Sequence, residues 1–373
     1  MRILYLSLSY VPSRSASSVH VMKMCAALAE HGHQVELVTK LAPQRLEPGV
    51  HDDHAFYGVE PSFTLTKLER PGRRGGGLLF ARAQLRKLAQ QPAPDLVYSR
   101  DLVGAWLACR RGLPVLFEAH GLPTGWLAKL LVRRILGYPS LARIVFISQA
   151  LQDKWHQRGL CCPDTVVAHD AADPLPVEQS ASSGETTPLK AGYVGHLYAG
   201  RGIELIVSVA KRLPAIEFHL VGGREKDLAA WRAQSVPANV IFHGFIAPAR
   251  LPELYRSFDL LLMPYQHQVG VRSGRSDTAS WMSPMKMFEY MAAGRPIVSS
   301  NLPVLREVLT DDRNALLAEP GAIDDWVAAV DGLANDRELR QRLAATAVAD
   351  FDAHYTWTAR AAAVLDGLTV GSR

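Results

Sequence analysis

The feature that most limits how this chain can fold is an alternation of short apolar strands with amphipathic helices that runs twice, on either side of a polar break. Residues 2–9 form a short apolar strand, 19–31 an amphipathic helix closed by Gly32, and 33–39 a second strand. Segments 95–99, 115–119 and 143–148 repeat the strand signal with helical stretches between them. Residues 174–189 are polar, aperiodic and rich in Pro and Ser, which reads as a linker. Beyond it the pattern restarts, with strands at 190–194, 216–221, 240–243, 260–263 and 296–299 and helices at 202–212, 251–257 and 285–293. Strands alternating with helices imply a parallel sheet covered on both faces. At 373 residues the chain exceeds one ordinary core and suits two domains. The expectation is therefore α/β: two doubly wound Rossmann-like domains facing across a cleft, at 1–173 and 190–354, joined by the linker and followed by a terminal segment at 355–373.

Composition narrows the class. Apolar residues make up 48% and charged residues 21%, as in a soluble globular protein. No apolar run approaches the roughly 20 residues that span a bilayer, and the first residues enter a strand directly, without a signal-peptide cleavage site. The four cysteines form no CxxC pair, so reduced thiols and a cytoplasmic setting are expected. The net charge of +5 is uneven: residues 1–175 hold 21 Lys/Arg against 14 Asp/Glu, giving +7, and the remainder 20 against 22, giving −2. The excess lies in 67–87 (Lys67, Arg70, Arg73, Arg74, Arg82, Arg86, Lys87) and in 119–152, where Lys129, Arg133, Arg134 and Arg143 accompany Trp126, Leu130, Leu131 and Ile135. Zinc-finger spacing, RNP signatures and heptads are absent, which argues against nucleic acid. A basic amphipathic stretch with Trp suits an anionic membrane surface, and a solvated helix face is the competing reading.

Two segments carry the chemistry: Gly195-His-Leu-Tyr-Ala-Gly-Arg-Gly202, and Ser283-Pro-Met-Lys-Met-Phe-Glu-Tyr-Met-Ala-Ala-Gly294. Together they resemble the donor-binding half of glycosyltransferase family 4, whose members have the GT-B fold. The resemblance spans nearly the whole chain, most closely from about 190 to 320. That family carries a Gly-Arg-Leu-x-x-x-Lys-Gly loop after the first strand of its second domain. Here Arg201 stands at the Lys position and His196 replaces the Arg. The resemblance implies that Arg201 neutralises the leaving nucleoside diphosphate, with Gly195 and His196 in the phosphate loop. Glu289 occupies the second glutamate of the family's pair and is implied to hold the ribose; the first falls at Trp281 and is missing. Ser283 and Pro284 replace a Gly-rich turn and still aim a helix N-terminus at the phosphates, with Lys286 restoring the cation lost at His196. Arg272, Arg275 and Asp277 are candidates for sugar selection.

In the first half, Ser17 and Ser18 stand where the family has a Gly-Gly that packs under the donor phosphates, and Gly32 and His33 take the structural places of its Gly-His-x-Val. Phe117-Glu-Ala-His-Gly121 ends a strand. His120 stands at a family histidine that contacts the donor sugar, so the resemblance implies a catalytic role for it. Glu118 shares its face of the strand and either orients the imidazole or caps a polar pocket. Arg100 ends another strand and either grips an anionic acceptor or pairs with Asp101. The strand-end loops contain no Asp-x-Asp, so no metal or other cofactor is expected and charge neutralisation falls to Arg201, Lys286 and helix termini. The implied reaction is metal-independent transfer of a hexosyl unit from a nucleoside-diphosphate sugar to a glycan or lipid-linked acceptor, with retention, in cell-surface polysaccharide or glycolipid synthesis. A nucleotide-sugar epimerase of the same fold, or a degenerate binding scaffold, stays open. A nicotinamide dehydrogenase is disfavoured because no strand runs into GxGxxG.

Overall fold

The computed structural model describes residues 1–41, 46–69, 76–175, 188–197, 199–269 and 277–368. The chain divides into two compact units: Met1–Asp170 with Trp357–Arg373, and Ala171–Thr356.

The first unit holds seven parallel strands: β1 (Arg2–Tyr10), β2 (Gln34–Leu41), β3 (Thr64–Glu69), β4 (Leu96–Ser99), β5 (Val115–Ala119), β6 (Leu141–Phe146) and β7 (Thr165–Val167), ordered β3-β2-β1-β4-β5-β6-β7. Helices α1 (Ala16–Glu30), α2 (Asp53–Tyr57), α3 (Gly76–Leu88), α4 (Leu102–Arg110), α5 (Gly125–Leu136) and α6 (Gln149–His156) make the crossovers. β4 and β5 are buried along their whole length, as strands covered on both faces must be, which is why they read as continuous apolar runs. β3 and β7 lie at the sheet edges and are only half-buried, so they lack that signal and escape a sequence reading. Strand order reverses between β1 and β4, and the crevice beyond the carboxyl ends of those strands is the ligand position of a doubly wound sheet.

The second unit repeats the plan with β8 (Lys190–Val194), β9 (Glu217–Val221), β10 (Val240–Gly244), β11 (Leu260–Met263), β12 (Ile297–Ser300) and β13 (Leu316–Ala318), ordered β10-β9-β8-β11-β12-β13. Its helices are α7 (Ile203–Arg212), α8 (Glu225–Arg232), α9 (Leu251–Arg256), α10 (Met285–Ala292), α11 (Ile323–Asn335) and α12 (Arg337–His354). Tyr193, Ile206, Phe218, Leu260, Trp326 and Leu343 belong to its core. The order reverses here between β8 and β11.

The last helix, α13 (Trp357–Leu365), belongs to the first unit and packs on α1. It buries Trp357, Ala361 and Val364, and burying each large apolar side chain contributes about 1.5–3 kcal/mol. Arg143 closes its C-terminal end, donating to the carbonyls of Val364 at 3.1 Å and Asp366 at 2.7 Å. The units therefore divide at 170/171 and 356/357, and of the segment read as a linker, residues 176–187 lie outside the described residues.

Candidate functional site

In the second unit the two chemistry-bearing segments converge on the reversal point. The loop leaving β8 passes tightly against the loop leaving β11. A Cβ on Gly200 would meet the Gln268 carbonyl at 2.0 Å, and one on Gly202 the Pro264 carbonyl at 2.0 Å; both residues hold positive φ, 81° and 76°. Only glycine permits this approach, and the approach carries Arg201 to Tyr265 just after β11. The Arg201 guanidinium donates to the Tyr265 hydroxyl at 2.8 Å and lies over its ring, 5.0 Å from the centroid. Lys286, in the first turn of α10, places its Nζ 4.0 Å from the Tyr193 ring centroid and 5.0 Å from that of Tyr265. Two cations thus share one tyrosine.

Burial, followed by the neighbouring Arg201, holds the Lys286 ammonium well below the usual lysine range, and Glu289 opposes that shift. A Cβ on Gly195 would lie 2.8 Å from Nζ, so Gly195 makes room for the lysine. The His196 carbonyl accepts from the Tyr193 hydroxyl at 2.6 Å, which ties the loop to the end of its strand. Ser283 is buried, and Pro284 caps α10 without a side-chain hydrogen bond, so no side chain claims the first-turn amides at that cap. Glu289 faces the other way round the helix and accepts from the Tyr255 hydroxyl at 2.7 Å. Sequence reasoning missed Tyr193, Tyr255 and Tyr265. Each is an apolar position of a strand end or helix by pattern, and only the packing shows its hydroxyl at work. Asp277 is committed to its own loop, accepting from Val269 N at 2.8 Å and Ala279 N at 3.0 Å; Arg272 and Arg275 lie outside the described residues.

In the first unit, His120 and Glu118 sit at the end of β5 and Arg100 at the end of β4, within a buried polar cluster that draws in distant segments. His20 from α1, Asp170 from the loop after β7 and Arg360 from α13 complete it. His120 Nε2 donates to Glu118 Oε1 at 2.5 Å, and Arg100 donates to His120 Nδ1 at 3.1 Å. Because a guanidinium only donates, Nδ1 must accept, which assigns the proton to Nε2. Arg360 lies 3.3 Å from each Glu118 oxygen, and the Tyr98 hydroxyl also donates to that carboxylate. His20 meets Asp170 at 2.8 Å through Nδ1; its Nε2 is 3.0 Å from Glu118 Oε1 without the alignment of a hydrogen bond.

Burial disfavours the Glu118 charge, but Arg360, His20 and His120 outweigh it and hold the carboxyl well below the usual range. Burial and Arg100 push His120 down to about 4. His20, Glu118 and His120 present ligand atoms within 4.8 Å of one another, a spacing a metal could use. Arg360 and Arg100 already stand against that set, so a divalent cation there would face two guanidiniums.

Several expectations change on these facts. The Glu118 side chain is 0% exposed and that of Arg100 9%, against 28% for His120, so His120 presents the cluster to a ligand and the other two hold it. Asp101 does not pair with Arg100; it caps α4 through Val103 N and Gly104 N. Helix α1 starts three residues earlier than its apolar pattern implies, because Ser15 caps it. Ser17 and Ser18 therefore lie in a first helical turn instead of a loop. Ser18 is buried and donates to the Ser13 and Ser15 carbonyls, whereas Ser17 stays exposed beside Ser9 Oγ at 2.7 Å. The basic surface is also smaller than the sequence count suggests. Arg143 is buried against α13 and Asp164, Lys67 pairs with Asp53 and Lys87 with Glu36, and Arg70, Arg73 and Arg74 lie outside the described residues.

Residues 17–174 match the model of Glycosyltransferase Family 4, and residues 201–366 match that of the glycosyl transferase-like domain. The chain belongs to the family 4 glycosyltransferases and is an enzyme of GT-B fold. Glycogen synthase of Mycobacterium tuberculosis is 24% identical over 96% of this chain and 92% of its own length. Among solved structures, sucrose-phosphate synthase from Thermosynechococcus elongatus superposes with a TM-score of 0.74 at 16% identity, covering 96% of each chain. Anabaena Alr3699/HepE, solved with UDP-glucose, gives 0.73 at 16% identity over 99% of each.

Proposed function

We propose that the chain transfers a hexosyl unit from a nucleoside-diphosphate sugar to an acceptor hydroxyl, with retention and without a metal. The observation that carries this reading is the pair of cations, Arg201 and Lys286, held on Tyr265 and Tyr193. A lysine kept below its ordinary pKa by burial and by a second cation is a standing positive potential. A diphosphate completes it. The amides of the first α10 turn and the helix dipole add to the same charge. Glu289, steadied by Tyr255, is positioned for ribose hydroxyls.

As the bond between the anomeric carbon and the diphosphate oxygen breaks, Arg201 and Lys286 take up the developing charge. The acceptor oxygen bonds to the same face of that carbon, and its proton passes to the departing phosphate oxygen. Glu118 is too deeply buried to serve as a covalent nucleophile, and the exposed edge of His120 supports the sugar. The solved neighbour that holds UDP-glucose puts uridine donors first in any screen.

For the acceptor we propose a glycan or lipid-linked species in cell-surface polysaccharide or glycolipid synthesis, met at the cytoplasmic face of an anionic membrane. Among the described residues no helix is long and apolar enough to cross a membrane. Helix α5 instead leaves Trp126 77%, Leu127 51% and Leu130 42% exposed, beside exposed Lys129, Arg133 and Arg134, while Leu131, Val132 and Ile135 pack inward. That surface suits the headgroup region. Co-sedimentation with anionic vesicles at low salt, lost in the Trp126→Ala/Leu130→Ala double variant, checks this part; absence of binding by the parent chain refutes it.

The transfer itself is tested by acceptor-dependent release of nucleoside diphosphate from a panel of nucleotide sugars. Interconversion of nucleotide sugars without release would assign an epimerase, and binding without turnover a scaffold.

A further inference from the structure

The first unit spends an arginine of the C-terminal helix deep in its interior, and the charges around it add up in a specific way. Glu118 and Asp170 supply two negative charges; Arg100 and Arg360 supply two positive ones, before either imidazole is counted. Arg360 reaches this position through a set of fixed bonds. Its Nε donates to the His169 carbonyl at 2.7 Å and its Nη2 to the Ala168 carbonyl at 3.2 Å, so its fork is anchored on the loop that also carries Asp170. Helix α13 is held there by Arg143 at one end and, nearer its start, by the Thr358 carbonyl, which accepts from His31 at 2.9 Å. Trp357 lies edge-on to His20, 5.1 Å between centroids, and His20 lies edge-on to His120 at 5.4 Å.

We infer that Arg360 is a positioning residue: as the second counter-ion of the buried carboxylates it keeps His120 neutral and locked as the Nε2–H tautomer between Glu118 and Arg100. The groups that face His120 and its partners are Arg100 and Tyr98 from β4, Glu118 from β5, His20 from α1, His169 and Asp170 from the loop after β7, and Arg360 from α13. With Arg360 present, a proton on Nδ1 would stand against the Arg100 N–H. With Arg360 gone, two carboxylates face one guanidinium, and an imidazole takes up the missing positive charge. The terminal helix thereby sets the state of a side chain some 240 positions earlier in the chain (360 − 120 = 240).

The test uses the full chain with histidine labelled in nitrogen-15. The parent protein shows the neutral Nε2–H pattern for His120 near neutral pH, and Arg360→Met shows an imidazolium pattern in the cluster. A raised imidazole pKa stabilises the folded state only below its unfolded value of about 6.5 and is lost as pH rises through the folded value. The loss of melting temperature in Arg360→Met relative to the parent therefore grows from about pH 6 to about pH 8.5. Arg360→Lys keeps the charge and restores both readouts. So does Arg360→Met/Glu118→Gln, which removes one charge of each sign. A neutral His120 and a pH-independent deficit in Arg360→Met overturn the inference and leave Arg360 a packing residue.

Where Arg360→Met does not fold, the double variant decides: folded with neutral His120 it supports the charge argument, and unfolded it refutes it. A kinetic arm rests on the transfer reading: kcat falls about tenfold or more in Arg360→Met, with donor KM within about twofold. If the parent chain shows no turnover, that reading fails while the nitrogen-15 result still stands or falls alone.

Discussion

The two units place polar side chains at the same point of the same fold and arrange them in opposite ways. In the first, acids and guanidiniums are matched within the protein, and Glu118 and Arg360 are almost wholly enclosed. In the second, the cations Arg201 and Lys286 rest on tyrosine rings, and the charge of Lys286 is disfavoured by its surroundings. A matched cluster fixes geometry and asks nothing of a ligand, whereas an unmatched cationic pair is stabilised by an arriving anion. One reversal point is thus built to hold a side chain still and the other to receive charge.

The comparison can be broken or sharpened by substitution. Removing the receiving charge has the largest expected effect: Arg201→Ala lowers kcat by about 10²–10³-fold, read by nucleoside diphosphate release, with an unchanged melting temperature. Near-parental turnover would place charge neutralisation elsewhere. In the matched unit the loss is one of stability. Glu118→Ala strands two buried guanidiniums and costs about 3–5 kcal/mol in urea unfolding; a cost under about 1 kcal/mol would mean water reaches the cluster.

Lys286→Met weakens UDP binding by about tenfold, roughly one interaction of 1.4 kcal/mol. Because burial lowers the lysine pKa, its charge is present at low pH and lost as pH rises, so the parent's UDP affinity falls towards alkaline pH. Lys286→Arg flattens that dependence, since a guanidinium stays charged. A parent affinity independent of pH by calorimetry would show that Lys286 does not carry the phosphate. Tyr255→Phe is the mildest change, lowering donor affinity about fivefold by leaving Glu289 without its donor, or about 1 kcal/mol.

For the parent protein, His120 at about 4 gives the opposite dependence to that of the Arg360 variant. A depressed folded pKa contributes stability that is complete above about 6.5 and lost as pH falls towards 4.

How much of this could be read from the sequence depends on where each signal resides. Strands β4, β5, β8 and β11 were legible because burial on both faces leaves an uninterrupted apolar run. The edge strands β3, β7 and β13 were not, because half of each faces solvent and the run is diluted. Arg201, Lys286 and Glu289 were legible because glycine spacing and helix position act over a few residues. Their tyrosine partners were hidden among ordinary apolar positions, and Arg143 was counted as surface charge until its carbonyl partners on α13 were seen.

What the sequence by itself determined is therefore the twofold strand and helix alternation, the glycine turns and the donor motifs, all set by local sterics and hydrophobic period. What only the tertiary structure decided is the company each charge keeps. Glu118 meets Arg360 across 242 residues of chain, and no local periodicity encodes a contact that arises when an entire sheet and its last helix pack together.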